Sequence, residues 1–444
     1  MNTPIYDFVK GYAESGKTRL HMPGHKGVGA LGIEAFDITE VGGADVLYHD
    51  EGIIKESRMN AGELFMTKDT FYSTEGSSLC IRAMLYLISL YARSKNEFPL
   101  VLAGRNAHKS FISALALTDT EVRWVYPADA SVISCTITEE DVRRAYSECT
   151  CKPTALYVTS PDYLGCTSDI KELSAVCREL GMLLVVDNAH GGYLKFLPED
   201  LHPITLGADM CCDSAHKTLP ALTGAAYLHI GCGAPDFLSD NAPDALMTFA
   251  STSPSYLTLI SLDRLNAYLN DGYRELLADF TARLDLTKKR LIEHGYTLIG
   301  DEPLKITIAA KKYGYTGEEM ANILSENGME VEFSDPDYMT LMLTPELEGS
   351  LDLIEGVLMK IPPQKPSDVG APRAIKSERV LSLREALFAP SEKISAERAI
   401  GRVLGSTRLA CPPAIPILMP GERISSAAVE LMRYYGITEC KVVK

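Results

Sequence analysis

The feature that most constrains the fold is an alternation of short apolar runs with helix-like stretches between about residues 70 and 230. Most of the runs are continuously apolar, which is typical of strands that are covered on both faces of a sheet. Helix-like stretches at 77–93 and 171–181 lie between the runs. The pattern predicts an α/β domain with a mostly parallel sheet. The runs predicted as strands are 99–104, 122–127, 155–161, 182–190, 208–216 and 224–230.

The chain beyond residue 254 has a different organisation. Two helical stretches between 254 and about 295 are followed by a smaller α+β unit, and segment 361–372 is rich in proline and polar residues, as expected of a linker. The charge changes sign at this segment. Residues 371–444 carry twelve Lys and Arg against seven Asp and Glu, whereas the preceding residues carry 31 against 52. We therefore predict a domain boundary at this linker.

Composition excludes several classes of function. The formal net charge of -16 argues against nonspecific binding to nucleic acid or to an anionic membrane, and it is compatible with a cationic small molecule. The eleven cysteines include no CxxC pair, so we expect no metal site and a reduced, cytoplasmic protein. No apolar run reaches the roughly 18 residues of a membrane span, and the first residues do not resemble a signal peptide.

Lys217 is the first candidate for a reactive group. It follows a predicted strand, in the segment DSAHKT at 213–218. Burial at the carboxyl end of a strand lowers the pKa of a lysine and makes its amine nucleophilic, and this edge of a parallel sheet is where ligands bind. Ser214 and His216 flank the lysine with donors suited to a phosphate. The alternative is a surface lysine in a loop.

Asp187 ends the preceding apolar run. A lone buried carboxylate is costly, so Asp187 needs a partner. That partner could be a turn, a metal ion or the protonated pyridine nitrogen of a cofactor that accepts electrons. Ala189 is small enough to lie beneath a flat ring. His190 is either a structural histidine or a functional one.

A phosphate cradle is predicted where Gly76, Ser77 and Ser78 open the helix at 77–93. Free N–H groups and the helix dipole favour an anion there, although serine is also a common N-cap.

Two further segments carry candidate side chains. His108, just past another strand, is either a loop residue or a ring that stacks on a cofactor. Thr252 and Ser253 lie in a hydroxyl-rich turn whose simpler interpretation is the start of a helix.

The chain thus carries a phosphate cradle, a candidate stacking ring, an aspartate and a lysine in this order, each after a strand. This order resembles that of the fold-type-I enzymes that depend on pyridoxal phosphate (PLP). The sequence HMPGHKG at 21–27 resembles the opening signature of one such family, the ornithine/lysine/arginine decarboxylases. The resemblance spans nearly the whole chain. It continues through segments 37–65, 159–165, 186–196, 213–218, 251–263, 383–403 and 411–424.

This resemblance implies an aspartate-aminotransferase-like large domain with a mostly parallel sheet, a small α+β domain and a C-terminal α+β domain. The chain resembles the compact form of the family, without an N-terminal receiver-like domain. We predict an N-terminal segment that contributes to the dimer and the active site, the PLP-binding large domain, the small domain and the C-terminal domain at 1–50, 51–270, 271–362 and 371–444, respectively.

The implied reaction is α-decarboxylation of arginine, lysine or ornithine to agmatine, cadaverine or putrescine, with release of carbon dioxide, in polyamine metabolism. Lys217 would form a Schiff base with PLP, Asp187 would pair with the ring nitrogen, and His108 would stack on the ring. Lys217 or His216 would return a proton to the substrate. The residues implied to bind the cofactor are Gly76, Ser77, Ser78, His108, Asp187, Ala189, His190, Ser214, His216 and Lys217, with Thr252 and Ser253 from the partner subunit.

The resemblance also implies a homodimer with shared active sites, or a larger assembly of dimers. His25, Lys26 and Glu422 are the candidate contacts for the substrate, Glu422 with its distal cation.

The chain departs from the family pattern at several positions. Glu75 places a carboxylate beside the expected phosphate, and Asp162 stands where threonine or asparagine is usual. Cys411 and Ala414 replace a tyrosine and a glycine.

Another PLP reaction, such as transamination, aldol cleavage or elimination, is the alternative. An aminotransferase of this fold usually has an arginine in the small domain, and residues 297–360 contain none. A non-enzymatic homologue usually lacks the lysine or the aspartate, and both are present here.

Overall fold

The computed structural model describes residues 1–49, 51–127, 130–347, 349–367, 370–411 and 415–444. Ala414 and the side chain of Cys411 therefore lie outside the described residues, and so do the departures predicted there. The described residues fall into two compact units. The first unit comprises 1–97 and 170–277, and the second comprises 98–169 and 278–444. The four domain ranges drawn from the sequence remain predictions.

The strands of the large sheet lie where the sequence predicts them, with one more strand before the first helix-like stretch. They are β1 (Asp69–Ser73), β2 (Leu100–Gly104), β3 (Glu121–Val125), β4 (Ala155–Thr159), β5 (Leu183–Asp187), β6 (Met210–Asp213) and β7 (Ala226–Ile230). Every residue of β2, β5 and β7 is buried, which explains why their runs are continuously apolar. The predicted α/β class with a large, mostly parallel sheet is confirmed.

The helices up to residue 294 include the stretches predicted at 77–93, at 171–181 and between 254 and about 295, together with others that the sequence did not predict. They are α1 (Pro4–Glu14), α2 (Gly52–Phe65), α3 (Ser77–Ser94), α4 (Lys109–Thr118), α5 (Glu139–Ser147), α6 (Ile170–Leu180), α7 (Ala215–Thr218), α8 (Asp236–Phe249), α9 (Tyr256–Asn270) and α10 (Tyr273–His294).

In the first unit, four strands lie side by side in the order β1-β7-β6-β5. Strands β5 and β6 run parallel, with Asp187 opposite Cys212, and β7 runs antiparallel to both β1 and β6. The carboxyl ends of β5 and β6 therefore lie at the same edge. This edge is where Asp187 and the segment that begins at Asp213 emerge from the sheet.

In the second unit, strands β4, β2 and β3 run parallel in that order. The later elements of this unit are β8 (Leu298–Ile299), β9 (Lys305–Ala309), α11 (Gly317–Glu326), β10 (Phe333–Ser334), β11 (Tyr338–Met342), α12 (Ser350–Leu358), α13 (Leu383–Phe388), β12 (Ser391–Ser395), β13 (Ala410–Cys411), β14 (Ile415–Pro416), α14 (Ser426–Tyr434) and β15 (Glu439–Val443). Strand β10 pairs antiparallel with β11, with Phe333 opposite Thr340.

The C-terminal elements have an apolar core of their own. Leu404, Leu418, Ile424, Met432 and Val442 are fully or almost fully buried in it. Serine caps begin both helices of this region, as Ser382 accepts from the Glu385 amide and Ser425 from the Ala428 amide. Among the described helices, none combines the length and the apolar character that crossing a membrane requires.

The C-terminal core makes a stability prediction. Leu404 is fully buried, so Leu404→Ala should lower the free energy of unfolding by about 2–5 kcal/mol through lost burial and an unfilled cavity. Ile400 in the same region is 53% exposed, and Ile400→Ala should change that energy by less than about 1 kcal/mol. Urea titrations of both variants measure the difference. Equal losses would contradict the described packing.

Candidate active site

Lys217 lies in the one-turn helix α7, directly after β6. Its Nζ is 3.1 Å from Nε2 of His190, a buried residue three positions beyond the end of β5. The parallel pairing of β5 and β6 brings these groups together, because both chain segments leave the sheet at the same edge. The structure therefore joins the predicted lysine to the histidine whose role the sequence leaves open.

Asp187 is buried at the last position of β5. Its Oδ1 accepts a hydrogen bond from the Ala189 amide at 3.3 Å and a weak one from the Cys212 thiol at 3.7 Å. Both donors are neutral. A buried carboxylate at the carboxyl end of a strand suits a cationic partner such as a protonated ring nitrogen.

Asp213, at the last position of β6, is the centre of a fully buried polar cluster. Its Oδ2 lies 2.9 Å from His202 Nε2 and 3.3 Å from His229 Nε2. Its Oδ1 accepts a hydrogen bond from the side-chain Nδ2 of Asn188 at 2.7 Å. Burial by itself raises the pKa of Asp213, but the two histidines outweigh burial and hold this pKa well below its usual range. Asn188 follows Asp187 directly, so Asp213 ties the end of β5 to the end of β6.

Sequence reasoning missed the role of this cluster. The signal for Asp213 was available, since it ends an apolar run just as Asp187 does. His202 and His229 carry no comparable signal, because one lies in a loop and the other in the middle of β7. Their proximity to Asp213 depends on the tertiary fold.

Cys211 adds a sulfur atom to this cluster, beside the ring nitrogens of the histidines and the carboxylate oxygens of Asp213. The ligating atoms of His202, Cys211 and Asp213 all lie within 4.8 Å of one another. Burial raises the pKa of the Cys211 thiol well above its usual value, which disfavours the thiolate that a metal ion would need. The hydrogen bond between His202 and Asp213 gives the cluster a structural role without an ion. The expectation of no metal site remains a prediction.

The predicted phosphate cradle is the turn that opens α3. Gly76 adopts a φ of 70°, which favours glycine, and α3 begins at Ser77 without a side-chain cap. We expect this first turn to present donors to an anion. The Ser214 hydroxyl donates to the Ser77 hydroxyl at 2.9 Å, which brings the segment after β6 to this turn. Ser78 lies in the same first turn of α3. Four of the residues predicted to hold the phosphate are thus adjacent in the first unit.

His216 also faces the turn. A Cβ atom added to Gly76 would lie 3.8 Å from Cε1 of His216. The His216 Nδ1–H donates to the Ala225 carbonyl at 2.9 Å, so Nε2 carries no proton while the ring is neutral. Burial lowers the pKa of His216, the positive charge of Lys217 lowers it further, and the bond to Ala225 only partly opposes them.

The structure gives Glu75 a specific partner. Its Oε1 accepts a hydrogen bond from the Ser251 amide at 2.7 Å, so the carboxylate is held by the turn at 251–253 of the same chain. Thr252 and Ser253 are exposed in that turn. Their contact with the phosphate site of a partner subunit remains a prediction.

The N-terminal candidates form local contacts. The Gly27 amide donates to His25 Nδ1 at 3.0 Å, so Nε2 carries the proton that is shared with Asp37 Oδ2 at 3.1 Å. Lys26 is exposed, and its Nζ donates to the His21 carbonyl at 2.5 Å. Contact of either side chain with a substrate remains a prediction.

The remaining candidates lie in the second unit. His108 caps the N-terminus of α4, where its Nδ1 accepts from the Ser110 amide at 3.2 Å. Glu422 is 5% exposed; its Oε2 accepts from the Met419 amide at 2.8 Å and lies 3.7 Å from Nη2 of Arg105. Burial raises the pKa of Glu422. The predicted roles of His108 and Glu422 in the reaction are not tested by these contacts.

Asp162 has a structural role in the second unit. It accepts from the Ser134 hydroxyl at 2.5 Å and from the amides of Leu164 and Cys166 at 3.0 and 2.9 Å. Burial raises its pKa to about 6, although these bonds partly oppose the effect. The departure at this position is therefore a satisfied buried carboxylate that organises a turn.

Comparison with known proteins assigns the family. The chain matches the model described as "Orn/Lys/Arg decarboxylase, major domain" over residues 3–300, and the model of the C-terminal domain of the same family over residues 381–441. The chain belongs to the Orn/Lys/Arg decarboxylase family. The expected family and enzyme class are thereby confirmed, and the protein is a decarboxylase.

Curated relatives and a solved structure agree with this family. The arginine decarboxylase of Bacillus subtilis is 29% identical, with 95% of this chain and 91% of that protein covered. The arginine decarboxylase of Halalkalibacterium halodurans is 28% identical, with 97% and 93% covered. The lysine decarboxylase LdcF of Francisella novicida superimposes with a TM-score of 0.80 at 18% identity, over 100% of this chain and 81% of that one. This superposition confirms the predicted fold.

The phosphate turn can be tested through Gly224. Its carbonyl accepts from the Gly76 amide at 2.7 Å, its φ is 95°, and an added Cβ would lie 2.8 Å from the Thr74 carbonyl oxygen. Gly224→Ala should therefore displace the turn, weaken PLP binding and lower the free energy of unfolding by more than about 1 kcal/mol.

Gly233 is a matched control, because a Cβ there meets nothing within 4 Å. Equilibrium PLP titration and urea unfolding compare the two variants. Unchanged PLP affinity in Gly224→Ala would contradict the assigned cradle.

Proposed function

We propose that this decarboxylase catalyses the PLP-dependent α-decarboxylation of a basic amino acid, with arginine as the preferred substrate and agmatine as the product. The carrying observation is the convergence of Lys217, Asp187 and the α3 turn at one edge of the sheet in the first unit. A nucleophilic amine, a buried carboxylate and a phosphate cradle are the groups that PLP requires. Arginine is supported by the names of the curated relatives, which align over more than nine-tenths of the chain.

The residues of the first unit fit PLP. The α3 turn and Ser214 offer amide and hydroxyl donors to its phosphate, while Asp187 offers a counter-charge to its ring nitrogen. His216 can donate to the phosphate through Nε2 only in the imidazolium form, because its Nδ1–H is held by the Ala225 carbonyl. A bound phosphate dianion would favour that form. Ala189 leaves room for a flat ring, as its side chain is a single methyl group.

The chemistry that PLP supplies when bound is an electron sink for the pair left on Cα as carbon dioxide departs. Lys217 would hold the cofactor through its amine. Asp187 would hold the proton on the ring nitrogen, and its burial would strengthen that interaction. The family resemblance implies that His108 would pack against the ring.

Lys217 is the group that returns a proton to Cα. The other candidate, His216, has its Nδ1–H bound to the Ala225 carbonyl and its Cε1 beside the Gly76 turn, so we assign it to the phosphate rather than to Cα. Lys217 would supply the proton from its amine, which His190 Nε2 at 3.1 Å can orient. His190 is thus proposed as a partner of the lysine.

We also propose that the protein acts as a homodimer or a larger assembly of dimers in the cytoplasm, within polyamine metabolism, and that Thr252 and Ser253 reach the phosphate site of the partner. Large apolar side chains of the N-terminal segment support an interface, since Leu20, Val28 and Leu31 are 90%, 78% and 81% exposed. Exposed apolar groups of this size favour burial against another protein surface. His25 and Lys26 lie in the same segment and are proposed to face the substrate.

Product identification tests the reaction. PLP-loaded protein should convert arginine to agmatine with a kcat/KM at least about tenfold above that for lysine or ornithine, because a site built for a guanidinium leaves groups unpaired with an amine. Mass spectrometry identifies the amine. Cadaverine or putrescine as the main product would overturn the choice of substrate, and an oxo acid would favour transamination.

The role of the lysine can be tested by substitution. Lys217→Ala should abolish decarboxylation and the visible absorbance of bound PLP, because no amine remains to attach the cofactor. Lys289→Ala is the control, since Lys289 is exposed on α10. Retained absorbance and borohydride trapping in Lys217→Ala would refute the assignment.

The shared site predicts a dependence on concentration. Specific activity should fall as the protein is diluted and sedimentation shows monomer. Thr252→Ala/Ser253→Ala should weaken PLP binding without changing the sedimentation coefficient, because these side chains are proposed to contact phosphate. A fully active monomer would contradict the shared site.

A further inference from the structure

Arg105 connects the loop after β2 to the C-terminal domain. It is 3% exposed; its Nη1 donates to the Pro416 carbonyl at 3.0 Å and its Nη2 to the Ile417 carbonyl at 3.2 Å. The Glu422 carboxylate lies 3.7 Å from the same Nη2. All these partners belong to the part of the chain that matches the C-terminal domain of the family. One buried guanidinium is therefore held by three groups of that domain.

The positive charge of Arg105 is balanced by the negative charge of Glu422 inside the protein. Glu422 is also almost fully buried and is fixed by the Met419 amide at 2.8 Å. A buried guanidinium without a counter-charge, or a buried carboxylate without one, is strongly disfavoured. The two side chains therefore stabilise each other, and the loss of either would loosen the contact between the β2–α4 loop and the C-terminal domain.

The loop that Arg105 holds is short and leads directly to His108. The Ala107 amide donates to the Gly104 carbonyl at 3.3 Å, and His108 then caps α4 through its Nδ1. Because Nδ1 accepts the Ser110 amide, the orientation of the His108 ring follows the backbone of this loop. A shift at Arg105 is consequently carried to the ring.

We propose that Arg105, paired with Glu422, is a positioning residue through which the C-terminal domain fixes the His108 ring for the decarboxylation reaction. This inference rests on the proposed function, in which His108 stacks on PLP. It gives Glu422 a task that differs from contact with the distal cation of the substrate. It also gives the C-terminal domain a role in the reaction that does not require contact with the substrate.

Trp124, the single tryptophan of the chain, is a built-in reporter of this contact. The Arg105 guanidinium carbon lies 5.6 Å from the centre of its ring. Trp124 and Glu422 also line one cavity of about 310 Å³ in the second unit. The fluorescence of Trp124, and its quenching by acrylamide, therefore report a loosened Arg105 contact without any dependence on cofactor or activity.

The test is a double-mutant cycle with Arg105→Lys and His108→Ala. Arg105→Lys keeps the charge but cannot bind two carbonyls and a carboxylate in the same geometry. It should increase the quenching of Trp124 and lower kcat about tenfold or more, since small misplacements near the reacting atoms are costly. In the His108→Ala background the same substitution should cause no further loss of kcat, because the two act through one group.

Glu422→Gln should also increase the quenching of Trp124 and lower kcat, by less than Arg105→Lys does. It provides a second variant if Arg105→Lys fails to fold. Arg384→Met is the matched control, because Arg384 also donates from the C-terminal domain to a carbonyl, that of Ala116 at the far end of α4. It should leave the quenching of Trp124 and kcat unchanged.

An equal loss of kcat in both backgrounds, or an unchanged kcat with increased quenching, would overturn the proposal. If the wild-type protein yields no amine from any basic amino acid, the proposed function fails. The same variants are then compared by their affinity for PLP. Arg105→Lys should lower this affinity in the wild-type background but not in the His108→Ala background, and an equal loss in both would overturn the positioning role.

Discussion

The buried carboxylate of Asp213 is the interaction on which the candidate active site depends. It accepts from Asn188, next to Asp187, and it directly precedes the segment that carries Ser214 and Lys217. Two buried histidines keep it ionised despite its burial. Asp213 is itself the end of β6, and it bonds to Asn188 just beyond the end of β5. It therefore holds Asp187 and Lys217 in one arrangement, because neither strand end can move without leaving buried polar groups unpaired.

The same principle explains why acidic departures from the family pattern are compatible with the fold. Glu75 lies beside the phosphate turn, yet its carboxylate is bound by the Ser251 amide, and Asp162 is satisfied by a hydroxyl and two amides. In each case the extra charge has local donors. The Glu75 contact also connects the phosphate turn to the turn that is proposed to serve a partner subunit.

Much of the fold could be predicted from the sequence because its signals are local. Runs that are buried on both faces became strands, and the stretch at 77–93 became α3. Lys217, Asp187 and the α3 turn could be named in advance because each follows a strand, and the fold then collects the ends of β5 and β6 at one edge.

The contacts that the sequence could not predict join distant parts of the chain. Arg105 meets Pro416 across 311 positions, and His229 meets Asp213 through antiparallel pairing that no local pattern specifies. The orientation of His216, set by the Ala225 carbonyl, is likewise a property of the folded backbone. Local sequence patterns indicate which side chains are candidates for the site, whereas these long-range contacts fix their orientation and their hydrogen-bond partners.

The central claim is that Lys217 is the point of attachment of PLP, and peptide mapping tests it most directly. The PLP-loaded protein is reduced with borohydride, digested and analysed by mass spectrometry. The account predicts a pyridoxyl phosphate adduct on the peptide that contains Lys217, at close to one per chain. An adduct on another lysine, or no stoichiometric adduct, would contradict it.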